Sequence, residues 1–192
     1  MTAPWERAPD GPAAGIAAGP AAGIAAAIPE LGTQRLRLRA PRIGDFAAYA
    51  GIATTERGVH IGGPMTREEA WLDFVQLVAG WTLRGHGVWS VERRADGALV
   101  GFVLIGLEPG DLEPELGFLF VAGAEGHGYA REAAAAARDF AHGALGWDTI
   151  VSYIAPENAR SIRLAERLGA RREARTEGGA LVFRHGRGGA PQ

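Results

Sequence analysis

The stretch from Glu115 to Ala137 constrains this chain more than any other. An apolar run, Leu116 to Val121, leads through a short connector to Gly126-His127-Gly128. An alanine-rich segment opening at Tyr129 follows. The pattern predicts a strand, a glycine turn and a helix. Paired glycines let a backbone come close to a ligand. A helix start presents unpaired N–H groups and the positive end of its dipole, so the segment is expected to bind a phosphate.

Two familiar phosphate loops do not fit. A nucleoside-triphosphate loop ends in Gly-Lys-Ser/Thr, and this chain has no lysine. A dinucleotide fingerprint places a third glycine where Arg131 stands. At 192 residues and 47% apolar, the chain is expected to form one domain with a substantial core. It has no apolar run long enough to cross a membrane. A net charge of −2 gives no electrostatic case for nucleic acid. All 20 basic residues are arginine, which reads as a compositional habit of the source.

Residues 1–30 stand apart. The octapeptide Gly11 to Ala18 recurs unchanged as Gly19 to Ala26. With so little bulk to bury, the segment is expected to be a disordered tail without catalytic role, the alternative being a helical or partner-binding arm. Glu6 precedes Arg7 and prolines break the apolar stretch, so it does not read as a signal peptide, and a cytoplasmic protein is expected. The folded domain is expected over 31–186, with a short tail over 187–192.

Within that domain, Leu36 and Leu38 alternate with arginines as a half-buried strand. Asp45 is placed to cap a helix carrying Phe46, Tyr49 and Ile52. Thr66 and Glu69 form a capping-box pattern ahead of a helix with Trp71, Leu72, Val75 and Val78. Asp96-Gly97 between two apolar runs predicts a hairpin. After the alanine helix, 149–154 reads as a strand, Asn158 as the cap of a helix that stops at Gly169, and Leu181 to Phe183 as a last strand. The order β, α, α, β, β, β, α, β, α, β predicts an α/β (α+β) fold with a mixed sheet and helices on both faces.

The glycine turn resembles the acyl-coenzyme A loop of the GNAT acetyltransferases, Gln/Arg-x-x-Gly-x-Gly/Ala, here Glu125-x-x-Gly128-x-Ala130. A second pattern, Asn158-x-x-Ser161 followed by Glu166-x-Leu168-Gly169, joins Tyr129-Ala130-x-Glu132-Ala133 in resembling the RimJ/RimL-type branch of that family. The likeness runs from about Thr33 to His185. It implies a GNAT fold, with a mostly antiparallel sheet splayed at its centre. It also implies acetyl-CoA as co-substrate, a primary amine as acceptor and no metal, and it is compatible with a homodimer. With no cysteine there is no acyl-cysteine intermediate, so transfer is expected to be direct or to use another nucleophile.

The resemblance also assigns residues. Backbone N–H groups of Gly126, His127, Gly128, Tyr129 and Ala130 would ring the diphosphate, with His127 adding a side-chain donor. Phe118, Leu119 and Phe120 would pair with the pantetheine arm as an extra strand, and a backbone N–H there would stabilise the oxyanion. His60 and Trp71 would line the acceptor wall or else be a surface histidine and a core aromatic. Glu125 departs from the pattern: a carboxylate about 4 Å from a phosphate costs ~1 kcal/mol even in water. Its side chain therefore turns aside, or coenzyme affinity falls.

For the amine, Glu115, Glu113 and Asp111 are candidate bases. Alternation puts Glu115 on one face with Gly117 and Leu119, on the strand that would lie against the cofactor, so it is preferred, directly or through a water. Its other role would be an ion pair with an arginine at the strand's entrance. Many family members place a tyrosine acid seven residues after the asparagine. Here that place holds Ala165, leaving Ser161 or water to protonate the thiolate. Asn158 would contact the pantetheine or the sulfur, or simply cap its helix. The favoured activity is acetylation of a protein N-terminus or a small-molecule amine. The alternatives are a non-catalytic CoA- or partner-binding module and an aminoglycoside-type acetyltransferase.

Overall fold

The computed structural model describes residues 21–108 and 110–187. Eight strands form one sheet: β1 (Leu31–Gly32), β2 (Leu36–Arg39), β3 (Val88–Arg93), β4 (Leu99–Gly106), β5 (Glu115–Phe120), β6 (Ile150–Ile154), β7 (Arg171–Glu177) and β8 (Ala180–His185). Their spatial order is β1-β2-β3-β4-β5-β6-β8-β7. Every neighbouring pair is antiparallel except β5 with β6. Helices α1 (Phe46–Ala53) and α2 (Arg67–Arg84) follow β2, α3 (Tyr129–Gly143) follows β5, and α4 (Ala159–Arg167) follows β6.

Strand alternation divides the core between the two faces. Phe102 of β4 and Leu119 of β5 pack with Phe46, Tyr49, Phe74 and Leu77 of α1 and α2. Val103, Ile105 and Leu116 point the other way, onto Ala133, Ala134, Ala137 and Ala141 of α3. Those four alanines are fully buried. Short side chains on that face let the helix axis lie close to the sheet, which brings the start of α3 against the end of β5.

Several local expectations hold. Thr66 and Glu69 make the reciprocal capping box of α2. Arg93 N–H closes the β3–β4 turn on Ala98 C=O at 2.8 Å. Other expectations are corrected. The buried face of α2 is Ala70, Phe74, Leu77 and Trp81, one register away from the expected residues, and Leu72 is exposed. Asp45 is the N-cap residue of α1, but its side chain makes no cap bond to that helix. Its carboxylate accepts bonds from Arg39 at 2.7 and 2.9 Å, Ser90 at 2.7 Å and the Arg42 backbone at 2.7 Å.

Two strands join those expected. β1 is only two residues long. β7 is a polar strand, Arg-Arg-Glu-Ala-Arg-Thr-Glu, without apolar alternation and held partly by ion pairs such as Arg184–Glu173 at 2.6 Å. The expected tail divides. Residues 1–20 lie outside the described residues, but 21–27 are helical. Ile28 joins the core, and Pro29 C=O accepts the Trp89 indole N–H at 2.7 Å.

Candidate active site

The parallel pair β5–β6 is where the sheet opens. The two strands share a single register pair, Glu115 with Val151. Val151 N–H bonds Pro114 C=O at 2.9 Å. Beyond that point the strands part, and a cavity of about 530 Å³ fills the gap. Most of the residues singled out from sequence line it: Glu115, Phe118, Leu119 and Phe120 on β5, Gly126 and Gly128 to Ala130 at the turn, and Asn158 and Ser161 on α4. The His127 side chain is not among the lining groups. Its ring stacks on Tyr129 with centroids 5.4 Å apart, and its Nδ1 lies 2.8 Å from Glu125 C=O.

The turn has the backbone its glycines allow. Gly126 and Gly128 have φ of +78° and +77°, a region other residues enter at a cost. Gly128 is the N-cap of α3, and among the described residues no side chain caps that helix end. The first N–H groups of α3 are therefore left for an anion. Glu132 braces the turn from behind. It accepts bonds from Thr33 Oγ1 at 2.5 Å, Arg35 N at 2.8 Å and Arg35 Nε at 2.7 Å. Arg35 in turn donates to His127 C=O at 2.9 Å.

The Glu125 side chain is exposed but does not stand alone. Its carboxylate bonds Arg57 at 2.5 Å and Arg160 at 2.6 Å. Arg57 also donates to Phe120 C=O at 2.8 Å. The hydrogen bond from Arg57, with the charge of both guanidiniums, holds the Glu125 carboxyl below the usual carboxylate range. Arg57 sits in the six-residue 3-10 segment Glu56–Ile61 after α1, and both arginines line the cavity.

The three candidate bases separate clearly. Glu113 is engaged by Arg184, Thr149 and Arg175, and the Arg184 bond leads in lowering its pKa. Asp111 accepts the Glu108 backbone N–H at 2.7 Å. Among the described residues Glu115 has no arginine partner. Burial, reinforced by the nearby charges of Asp111 and Glu108, pushes it up to about 7, against a smaller opposing effect from the Tyr153 backbone. A carboxylate titrating there is suited to accept a proton near neutral pH.

On the far wall, Asn158 Oδ1 accepts the Ser161 backbone N–H at 3.2 Å and so caps α4. That cap uses the amide of Ser161 and leaves its hydroxyl out of the bond. Ala165 is fully buried among Ile154, Leu181 and Phe183, away from the cavity lining. Of the two expected acceptor-wall residues, His60 lines the cavity, whereas Trp71 packs edge-on against Phe46 at 5.1 Å. Sequence reasoning did not find Arg57, Arg160, Ser152 or Tyr153, all of which line the cavity. No local pattern marks them, because they are brought together from three separate elements: the 3-10 segment after α1, β6 and α4.

A strand pair opened beside an uncapped helix start defines a class that comparison with known proteins identifies. The acetyltransferase (GNAT) domain model matches residues 35–171, well over half the chain, and the chain belongs to this family of acyltransferases. An acetyltransferase from Agrobacterium tumefaciens str. C58 is 38% identical, with a TM-score of 0.78 over 82% of this chain and 94% of that one. YkkB of Bacillus subtilis (strain 168) is 29% identical over 150 residues, 73% of this chain and 84% of its own length. RimJ of Mycobacterium smegmatis, solved in complex with CoA-disulfide, shares the fold at 22% identity and a TM-score of 0.62, covering 82% and 84% of the two chains.

Proposed function

We propose that this chain transfers an acetyl group from acetyl-CoA directly to a primary amine, either a protein N-terminus or a small-molecule amine. The observation that carries the reading is Glu115, a base of pKa about 7 at the apex of the opened strands. The uncapped start of α3, from Gly126 to Ala130, suits the diphosphate. The β6-facing edge of β5 at Phe118 to Phe120 suits the pantetheine arm, which would add as a strand.

In this reading Glu115 takes a proton from the acceptor ammonium, directly or through a water. The neutral nitrogen attacks the thioester carbonyl, forming the C–N bond. A backbone N–H of β5 meets the oxyanion, the C–S bond breaks, and the Ser161 hydroxyl or a water protonates the leaving thiolate. An α-amino group of pKa ~8 is nearer to Glu115 in proton affinity than a lysine amine of ~10.4, which favours N-termini and weakly basic amines.

The Glu125 bridge favours a second reading, in which the domain holds coenzyme A or a partner without turnover, because a carboxylate already occupies two of the arginines that line the cavity. Thiol release from acetyl-CoA across N-terminal peptides, diamines and aminoglycosides separates the readings. The transferase reading expects release with at least one class and its loss in Gly128→Ala. Coenzyme A binding without release for any acceptor supports the second.

A further inference from the structure

The buried pair Ser152 and His185 lies outside the chemistry above. Ser152 is 2% exposed and His185 1%. The Ser152 hydroxyl donates to Leu116 C=O at 2.6 Å and lies 2.9 Å from His185 Nε2. A serine has one proton to give. Since Leu116 takes it, Nε2 must carry the ring proton and donate to Ser152. His185 Nδ1 is then an unprotonated nitrogen, and it has no hydrogen-bond partner among the described residues. Burial, with Arg138 and His142 of α3 adding positive charge nearby, holds this imidazole neutral down to about pH 4.

The position of that bond matters. Successive residues of a strand send their N–H groups to opposite sides, so Tyr153 N–H points to the same side as Val151 N–H, toward β5. Val151 N–H makes its rung with Pro114 C=O. The next rung of a parallel ladder would join Tyr153 N–H to Leu116 C=O. That rung is missing, because β5 and β6 share only the Glu115–Val151 pair. The Ser152 hydroxyl occupies the carbonyl instead, and Tyr153 N–H is left facing the Glu115 carboxylate.

We propose that Ser152, oriented by His185, is the wedge that stops β5 and β6 from zipping together, and that by sparing Tyr153 N–H for Glu115 the pair acts as positioning residues for the base. The inference rests on Glu115 being that base. The charged and titratable groups around Glu115 are Asp111 and Glu108 from the loop before β5, Tyr153 from β6, and His60 across the cavity. Without the Ser152 hydroxyl, Leu116 C=O would be buried and unpaired, and Tyr153 N–H is the nearest donor to recapture it. Glu115 would then lose a group that favours its charged form.

The test is the pH dependence of kcat/KM for acetyl-CoA in Ser152→Ala, beside Ser152→Thr, which restores a hydroxyl, and Glu115→Gln. Ser152→Ala is expected to move the rising limb alkaline by about one pH unit and to raise KM for acetyl-CoA, with Ser152→Thr returning both toward the parent. In the unaltered protein, the Tyr153 amide resonance is expected to titrate with the same midpoint as the activity. A folded Ser152→Ala with the parent midpoint and KM overturns the wedge and leaves the base assignment intact. Activity surviving in Glu115→Gln overturns the base assignment instead. A Tyr153 amide indifferent to pH between about 5.5 and 8.5 overturns the wedge even if no variant folds.

Discussion

The Glu125 carboxylate lies 2.6 Å from the Arg160 guanidinium, a contact that ties the glycine turn to the opposite wall of the cavity. With Arg57 on its other oxygen, Glu125 occupies two cations that line the cavity a diphosphate would enter. Replacing it by glutamine removes the repulsion and releases both arginines toward the ligand. A unit charge about 4 Å away is worth ~1 kcal/mol in water, roughly fivefold in affinity, and more where water is excluded. Glu125→Gln is therefore expected to tighten coenzyme A binding at least severalfold by calorimetry. An unchanged or weaker Kd would mean that the bridge helps binding rather than opposing it.

Ser161 and Asn158 separate two roles that their spacing confounds. The helix cap uses the Ser161 amide, so Ser161→Ala leaves the start of α4 intact while removing the hydroxyl. If that hydroxyl protonates the thiolate, the turnover number falls about 10- to 100-fold with little change in melting temperature. A turnover equal to the parent assigns the proton to water.

Glu115 also links pH to stability. Its pKa in the folded chain, about 7, lies above the ordinary carboxyl value of 4.5. The folded state therefore binds the proton more tightly, and that stabilisation is complete below the unfolded value and lost as pH rises through about 7. Glu115→Gln carries no charge at any pH. Its gain in melting temperature over the parent is expected to be larger at about pH 8.5 than at about pH 5. An equal gain at both would mean that the carboxyl is not strained when ionised.

Asp45 holds a buried network at the start of α1. Arg39 and Asp45 are each 6% exposed, and Ser90 shares the carboxylate. Asp45→Ala leaves Arg39 with Glu92 as its remaining acidic partner and is expected to cost about 3 kcal/mol in chemical unfolding. Bonds from Arg39, Ser90 and the Arg42 backbone outweigh the larger single effect of burial and keep the Asp45 pKa below its ordinary 3.8. Its contribution is thus present above that value and lost as pH falls through the folded one. A loss below about 1 kcal/mol would reduce the network to a surface-like pair.

What the sequence discloses follows from the range of the interactions involved. The capping box at Thr66 and Glu69, the Asp96-Gly97 turn and the Gly126–Gly128 turn depend on residues within a few positions of one another, and all three are legible. The place of Asp45 at the start of α1 is legible, but its side-chain partners are not, because it answers to Arg39 and to Ser90, which lies 45 positions away. β7 carries charges where a strand normally shows alternation, and its partners Glu113 and Arg184 come from other elements. The bridge at Glu125 needs Arg57 and Arg160, one from each wall. The cavity is a product of the tertiary fold, so its ring of cations and its wedge at Ser152 have no local signature.

The central claim is that an amine-activating base of pKa about 7 sits where β5 and β6 part. Its most direct test is acetyl-CoA-dependent thiol release with the best acceptor of the panel, followed from about pH 5.5 to 9 in the parent and in Glu115→Gln. The account predicts kcat/KM rising with pH through a midpoint near 7 and falling at least about 100-fold in the variant. A flat profile, or a Glu115→Gln enzyme as fast as the parent, would contradict it.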